Sequence, residues 1–141
     1  MRSLFITVLI LTSLNLLSQS SETIYALNKG VTTKNVTKGY PIEYSLTKSY
    51  PNGSYAKIKN KGNGVYYFQI IVDGQFAYGH YFKYQAIENN QYKYKKSDEP
   101  DEEFLYVNYP LSKLAESNQY DEHIRVELIN YRTSFAMLLL F

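Results

Sequence analysis

Asp73 and Gly74 separate two largely apolar runs, 65–72 and 75–84. Asp-Gly is the preferred pair for a two-residue type I′ turn, because both central residues of that turn need a positive φ. The pair therefore predicts a β-hairpin, with Val72 opposite Gln75. If the register continues without interruption, an aromatic ring, Phe68, lies opposite Gly79 and covers it. We expect this hairpin to be the folding core.

Both faces of the predicted hairpin are rich in apolar residues. One face carries Tyr67, Tyr78 and Phe82, and the other carries Tyr66 and Tyr81. A ribbon of this kind belongs in the middle of a covered sheet, or it presents one aromatic face to a ligand or to lipid. The hairpin is therefore also the first place to look for a contact surface.

The rest of the chain alternates in the same way, and no stretch after residue 20 keeps a helical period. Strands are predicted over 40–47, with Ile42, Tyr44 and Leu46 facing inward, and over 55–59, with lysines typical of an exposed edge. Further strands are predicted over 92–96, 104–109, 123–130 and 133–141. One short helix is predicted over 110–117, because a proline suits its first turn. The fold class is mainly antiparallel β, a sandwich or small barrel with one connecting helix.

The first twenty residues have the pattern of a secretory signal peptide. Arg2 precedes an apolar run, and Ser18 and Ser20 are the small residues that favour cleavage near Ser20. We expect 1–20 to be the signal, 21–39 to be polar enough for partial disorder, and 40–141 to be a single β domain. The alternative is an uncleaved anchor, which the short apolar run makes less favourable.

Charge and cysteine content exclude several classes of function. A net charge of +2 provides no strong field for nucleic acid, and the absence of cysteine removes disulfides, thiolate metal sites and thiol nucleophiles. An exported chain without cysteine fits a bacterial periplasm or cell surface. No nucleotide-binding or nucleophile-elbow motif is present.

The histidines and the acidic run are poor candidates for chemistry. His80 is predicted to lie in an aromatic cluster and His123 to point outward, without the paired spacing of a metal site. The run 98–103 has five carboxylates but lacks the order of a calcium loop, so a solvated run is the better interpretation. We predict no catalytic, metal or cofactor site.

Tyrosine is the remaining signal, with 16 tyrosines against 7 phenylalanines and no tryptophan. Several tyrosines alternate with lysines, a composition suited to stacking on sugars or docking on a protein. The alternative is that tyrosine fills half-exposed sheet positions, where its β propensity is high. The predicted contact residues are Tyr66, Tyr78, Tyr81, Tyr84, Tyr92 and Tyr94.

These observations predict an exported, non-enzymatic β module for binding or structure, with an unknown protein or a carbohydrate as partner. One alternative is an outer-membrane β-barrel or a barrel-associated protein, since Phe135, Met137, Leu139 and Phe141 resemble the closing strand of such barrels. A small secreted hydrolase is the second alternative.

Overall fold

The computed structural model describes residues 21–96, 102–117 and 123–141. Ten strands and one short helix make up this part of the chain. The strands are β1 (Glu22–Ala26), β2 (Lys29–Lys34), β3 (Leu46–Ser49), β4 (Tyr55–Gly62), β5 (Val65–Val72), β6 (Gln75–Glu88), β7 (Gln91–Lys96), β8 (Glu103–Val107), β9 (Arg125–Asn130) and β10 (Phe135–Leu140), and the helix is α1 (Leu111–Leu114).

All ten strands belong to one sheet, with the order β1-β4-β5-β6-β7-β8-β9-β10-β2-β3 and antiparallel pairing throughout. β1 and β2 are consecutive in the chain but lie towards opposite ends of this order, and only Leu27 and Asn28 join them. The sheet must therefore curl around an inner face so that two residues can bridge its ends. It is not closed, which is where it departs from the predicted small barrel, while the antiparallel β class and the short helix are confirmed.

Tight turns join the central strands. Asp73 and Gly74 have φ values of 51° and 76°, as the predicted type I′ turn requires, and Val72 pairs with Gln75. Beyond Ile71 the predicted register is wrong, because a β-bulge at Ala77 shifts β6 by one residue. In the shifted register Gly79 lies opposite Gln69 instead of Phe68.

The bulge also changes which hairpin residues share a face. Tyr66, Phe68 and Ile70 of β5 now pair with Phe82, His80 and Tyr78 of β6, and this set faces the inside of the curl. The inner face forms the main core together with residues of the other strands and α1. Its most completely buried large side chains include Tyr25, Ile58, Phe68, Phe82, Tyr94, Leu105, Val107, Leu111, Leu114, Val126 and Leu139.

A second, smaller core lies on the outer face of β8, β9 and β10. Tyr106, Ile129 and Ala136 point outward there, and the connection between β2 and β3 folds back over them. This connection contributes Val36, which is buried, and also Ile42 and Tyr44, which are half-buried. The outer face at this end of the sheet is therefore covered by the chain itself.

Three further expectations need correction. The segment 21–39 holds β1 and β2, and its buried Tyr25 and Leu27 belong to the core, so disorder is not what the structure shows. The predicted strand 40–47 is a strand only from Leu46, which is exposed instead of facing inward. β4 is not an edge strand, because it lies between β1 and β5.

Two predictions fall wholly or mostly outside the described residues. The signal peptide, 1–20, is one, and 98–101 of the acidic run are the other. Across 21–96, 102–117 and 123–141, no helix has the length and apolar character needed to cross a membrane.

Candidate functional site

Four of the six predicted tyrosines line one pocket at an end of the inner face. Tyr66 comes from β5, Tyr84 from β6, and Tyr92 and Tyr94 from β7. The two-residue alternation of each strand directs these tyrosine side chains to the inner face, and cross-strand pairing places Tyr84 directly opposite Tyr94. Three further residues complete the wall of this tyrosine pocket, which has a volume of about 270 Å³: Gly64, Pro110 and Ser112.

The rings in the pocket meet edge to face. The Tyr94 ring centroid lies 5.7 Å from that of Tyr66 and 5.6 Å from that of Tyr84, with interplanar angles of 84° and 66°. Edge-to-face contacts favour a defined ring geometry over face-to-face stacking. Tyr94 is buried and forms the floor, whereas Tyr84 is 42% exposed and forms the rim. The pocket is therefore a preformed aromatic recess that opens to solvent.

Helix α1 closes one side of the pocket. It has only four residues, so its position depends on tertiary contacts and not on its own stability. The Leu111 N–H donates to the Tyr94 hydroxyl at 2.8 Å, and the Tyr25 hydroxyl donates to the Leu114 carbonyl at 2.6 Å. Both leucines are buried. Tyr94 therefore both forms the floor and holds the helix that carries Pro110 and Ser112.

Burial keeps the hydroxyls of Tyr66 and Tyr94 protonated. Desolvation raises the pKa of Tyr94 and that of Tyr66, and the hydrogen bond between Tyr66 and Ser112 opposes the second shift. A phenol with a raised pKa stays neutral well above physiological pH. The pocket therefore offers neutral ring faces and hydroxyl groups, and no lining residue is an acid or a histidine.

No family model, curated protein or solved structure matches this chain.

Tyr78 lies on the same inner face but outside the tyrosine pocket. Its hydroxyl donates to Glu103 Oε1 at 2.7 Å, and Lys96 Nζ lies 3.4 Å from Glu103 Oε2. Burial and the Glu103 carboxylate raise the pKa of Tyr78. Glu103 is buried, so the prediction that the acidic run is solvated fails at this residue. This polar cluster satisfies its own groups and leaves the Tyr78 hydroxyl committed to the fold.

Tyr81 points to the outer face of the sheet, away from the other five predicted tyrosines. It pairs across the strands with Tyr67, and the two ring centroids are 4.9 Å apart. Tyr67 is not among the predicted contact residues, because the uninterrupted register puts Tyr67 and Tyr81 on opposite faces of the hairpin. Only the bulge at Ala77 brings these rings together.

Within the described residues, the two histidines do not form a metal site with other metal-ligating side chains. His80 lies beside Tyr78, with ring centroids 4.8 Å apart, as the predicted aromatic cluster requires. His123 is exposed. In the part of the chain that the structure describes, no three His, Cys, Asp or Glu side chains come together in a way that could hold a metal ion.

Sequence reasoning missed the residues of the pocket that are not aromatic. The helix predicted over 110–117 contains Pro110 and Ser112, but no sequence pattern relates these two residues or Gly64 to the tyrosines. Their place in the pocket depends on α1 packing against the end of the sheet, a long-range contact that no local pattern encodes. The proline after Tyr109 was the one available signal that a helix begins near a tyrosine-rich strand.

Proposed function

We propose that the protein is an exported, non-enzymatic binding module that holds a carbohydrate in the tyrosine pocket. The observation that carries this proposal is the convergence of four tyrosines from three strands on one recess. A tyrosine offers an apolar ring face and a polar hydroxyl, which match the C–H face and the hydroxyl groups of a sugar ring. Preformed aromatic walls with a few polar groups are typical of small-ligand sites.

The size and chemistry of the pocket favour a sugar over a protein partner. A volume of about 270 Å³ accommodates a single ring and not an extended peptide or a helix. The Ser112 hydroxyl and the tyrosine hydroxyls supply hydrogen-bonding groups around that ring. The lining holds no acid or histidine, and burial raises the pKa of Tyr66 and of Tyr94, which favours binding over acid–base catalysis.

The direct test is a screen of neutral glycans against the purified protein and two single variants. Tyr84→Ala removes the pocket rim, while Tyr40→Ala removes a more exposed ring outside the pocket lining as a control. Loss of one stacking ring weakens binding by about tenfold or more. We expect this loss for Tyr84→Ala only. Equal binding by both variants, or no bound neutral glycan, contradicts the pocket assignment, and hydrolysis of a screened substrate contradicts the non-enzymatic proposal.

Export is tested separately, by fractionating the native host and measuring the intact mass of the recovered protein. We expect release from the envelope by a sodium-carbonate wash, with a mass that corresponds to cleavage near Ser20. Recovery with Met1 still attached contradicts the proposed export signal. The outer-membrane and small-hydrolase alternatives stay predictions.

A further inference from the structure

The outer face of β4 to β7 carries a cluster of exposed and half-exposed aromatic rings. Tyr67 and Tyr81 lie side by side, and Phe76 stands next to them at the start of β6. Phe76 is 63% exposed and Tyr81 is 40% exposed. Exposed rings in contact with one another are uncommon on a monomeric protein and mark a surface that contacts something else.

Gly79 allows these rings to lie close to the sheet. A Cβ atom at this position would stand 2.4 Å from the Tyr67 hydroxyl oxygen and 2.9 Å from the Phe76 ring. Any residue other than glycine would therefore push both rings away from the strand. The glycine leaves room for the Tyr67 and Phe76 rings over the strand, and the resulting aromatic platform lies on the face opposite the recessed tyrosine pocket.

Lysines surround this platform on the same face. Lys59 pairs across the strands with Tyr67, and Lys83 follows Tyr81 by two residues, which places both on the outer face. Lys83 lies directly opposite Lys95 on β7. Like charges directly opposite one another destabilise a sheet, so an anion placed between them would relieve a cost that the fold carries.

In the described part of the chain, some lysines of this outer face have a carboxylate partner and others do not. Within the described residues no carboxylate lies within ion-pair distance of Lys59, Lys83 or Lys95, whereas Lys57 meets Glu22 at 3.5 Å. The platform and its charges together form the lysine–tyrosine face, defined by Lys59, Tyr67, Phe76, Tyr81, Lys83 and Lys95.

We propose that the lysine–tyrosine face binds an acidic polysaccharide, with sugar rings on the tyrosines and carboxylates on the lysines. Tyr81 and Lys83 are separated by about 7 Å along β6, so one chain can contact a ring and a charge at neighbouring positions. A net charge of only +2 provides no strong field for the dense phosphates of nucleic acid. This face is opposite to the tyrosine pocket, so each site can fail independently.

The test measures binding of alginate oligosaccharides by calorimetry, with dextran and a thymidine oligonucleotide as comparison probes. Tyr81→Ala removes a ring and is matched by Tyr40→Ala, and Lys83→Gln removes a charge and is matched by Lys34→Gln on β2. We expect alginate to bind, Tyr81→Ala to weaken binding about tenfold, and Lys83→Gln to weaken it about threefold. Both matched controls should bind like the parent protein.

Several results overturn the proposal. Absence of alginate binding, or dextran binding of equal strength, removes the charge argument. Oligonucleotide binding as tight as that of alginate indicates a general polyanion surface instead of a glycan site. If Tyr84→Ala lowers alginate affinity and Tyr81→Ala does not, binding occurs at the tyrosine pocket. All substituted residues are exposed, and far-UV circular dichroism checks that each variant keeps its fold.

Discussion

The two ends of the sheet treat their outer faces differently. Over β8 to β10, outward-facing Ile129 and Ala136 are sealed by Val36, Ile42 and Tyr44 from the connection between β2 and β3. Over β4 to β6, no segment within the described residues forms such a cover, and the outward-facing rings of Phe76 and Tyr81 are exposed. The outward-facing positions include apolar residues in both regions, so the alternation of apolar residues along the strands does not by itself decide which outer face is buried.

The difference follows from the lengths of the connections. β4, β5, β6 and β7 are joined by tight turns, at Asn63-Gly64, Asp73-Gly74 and Asn89-Asn90, in which every residue has positive φ. Such turns leave no chain to fold back over the strands. The β2–β3 connection is long enough to return across the sheet. An apolar outer face beside short turns is therefore available to a partner.

The largest expected effect comes from shortening a side chain under the cover. Ile129 is only 3% exposed, so Ile129→Ala should lower the free energy of unfolding by about 3 kcal/mol through lost burial and a cavity. Phe76→Ala, on the uncovered face, should change it by less than about 0.5 kcal/mol. Urea unfolding measures both. Similar losses in the two variants would show that the faces do not differ.

The anchor of the cover gives the next effect. The Tyr44 hydroxyl donates to Glu127 Oε2 at 2.5 Å, and a hydrogen bond to a charged group is worth about 1.5 kcal/mol. Tyr44→Phe should therefore destabilise the protein by about that amount in urea unfolding, with Tyr40→Phe, on an exposed ring, as the unaffected control. If Tyr44→Phe leaves the free energy of unfolding unchanged, apolar contacts alone hold the cover in place.

The same tyrosine should make stability depend on alkaline pH. Burial, followed by the Glu127 hydrogen bond and charge, raises the pKa of Tyr44 above the value of about 10 that a tyrosine has in the unfolded chain. Its contribution is therefore complete below pH 10 and is lost as the pH rises further, since only the unfolded state ionises there.

We expect the free energy of unfolding to decrease above pH 10, by less than about 1 kcal/mol per pH unit from Tyr44 because solvent screens this half-buried group. Urea unfolding at pH 9, 10 and 11 measures the decrease. Tyr44→Phe should show a shallower slope, and an identical slope in both proteins would contradict the shift.

A modest effect is expected at the glycine of the uncovered face. Gly79→Ala should cost about 1 kcal/mol, because the new methyl group displaces the Tyr67 and Phe76 rings. Adding Tyr67→Ala removes that crowding, so the double variant should lose less stability than the sum of the losses in the two single variants. Additive losses in thermal unfolding would show that Tyr67 does not lie over Gly79.

Local chemistry explains what the sequence predicts well. The Asp73-Gly74 turn, the strand over 55–59 and the short helix after Pro110 all follow from turn preference, strand period and proline geometry. Each depends on residues that are close in the chain, and the structure confirms each one.

The failures depend on distant contacts. Nothing near Ala77 announces a bulge, yet it moves Tyr67 and Tyr81 onto one face. The segment 21–39 is polar because β1 and β2 need few buried side chains of their own, and their pairing with β4 and β10 supplies the order. Four of the six tyrosines meet through the pairing of β5, β6 and β7, and Pro110 and Ser112 join them because α1 packs at the end of the sheet, which is again a tertiary effect.

The most direct test of the uncovered face is an NMR titration of the labelled protein with alginate oligosaccharides. We expect the largest amide chemical-shift changes at Gly79, Tyr81 and Lys83, with little change at Tyr106 and Ile129 under the cover. Shifts concentrated on β8 to β10, or no shifts on β5 and β6, would contradict the claim that the uncovered face is the binding surface.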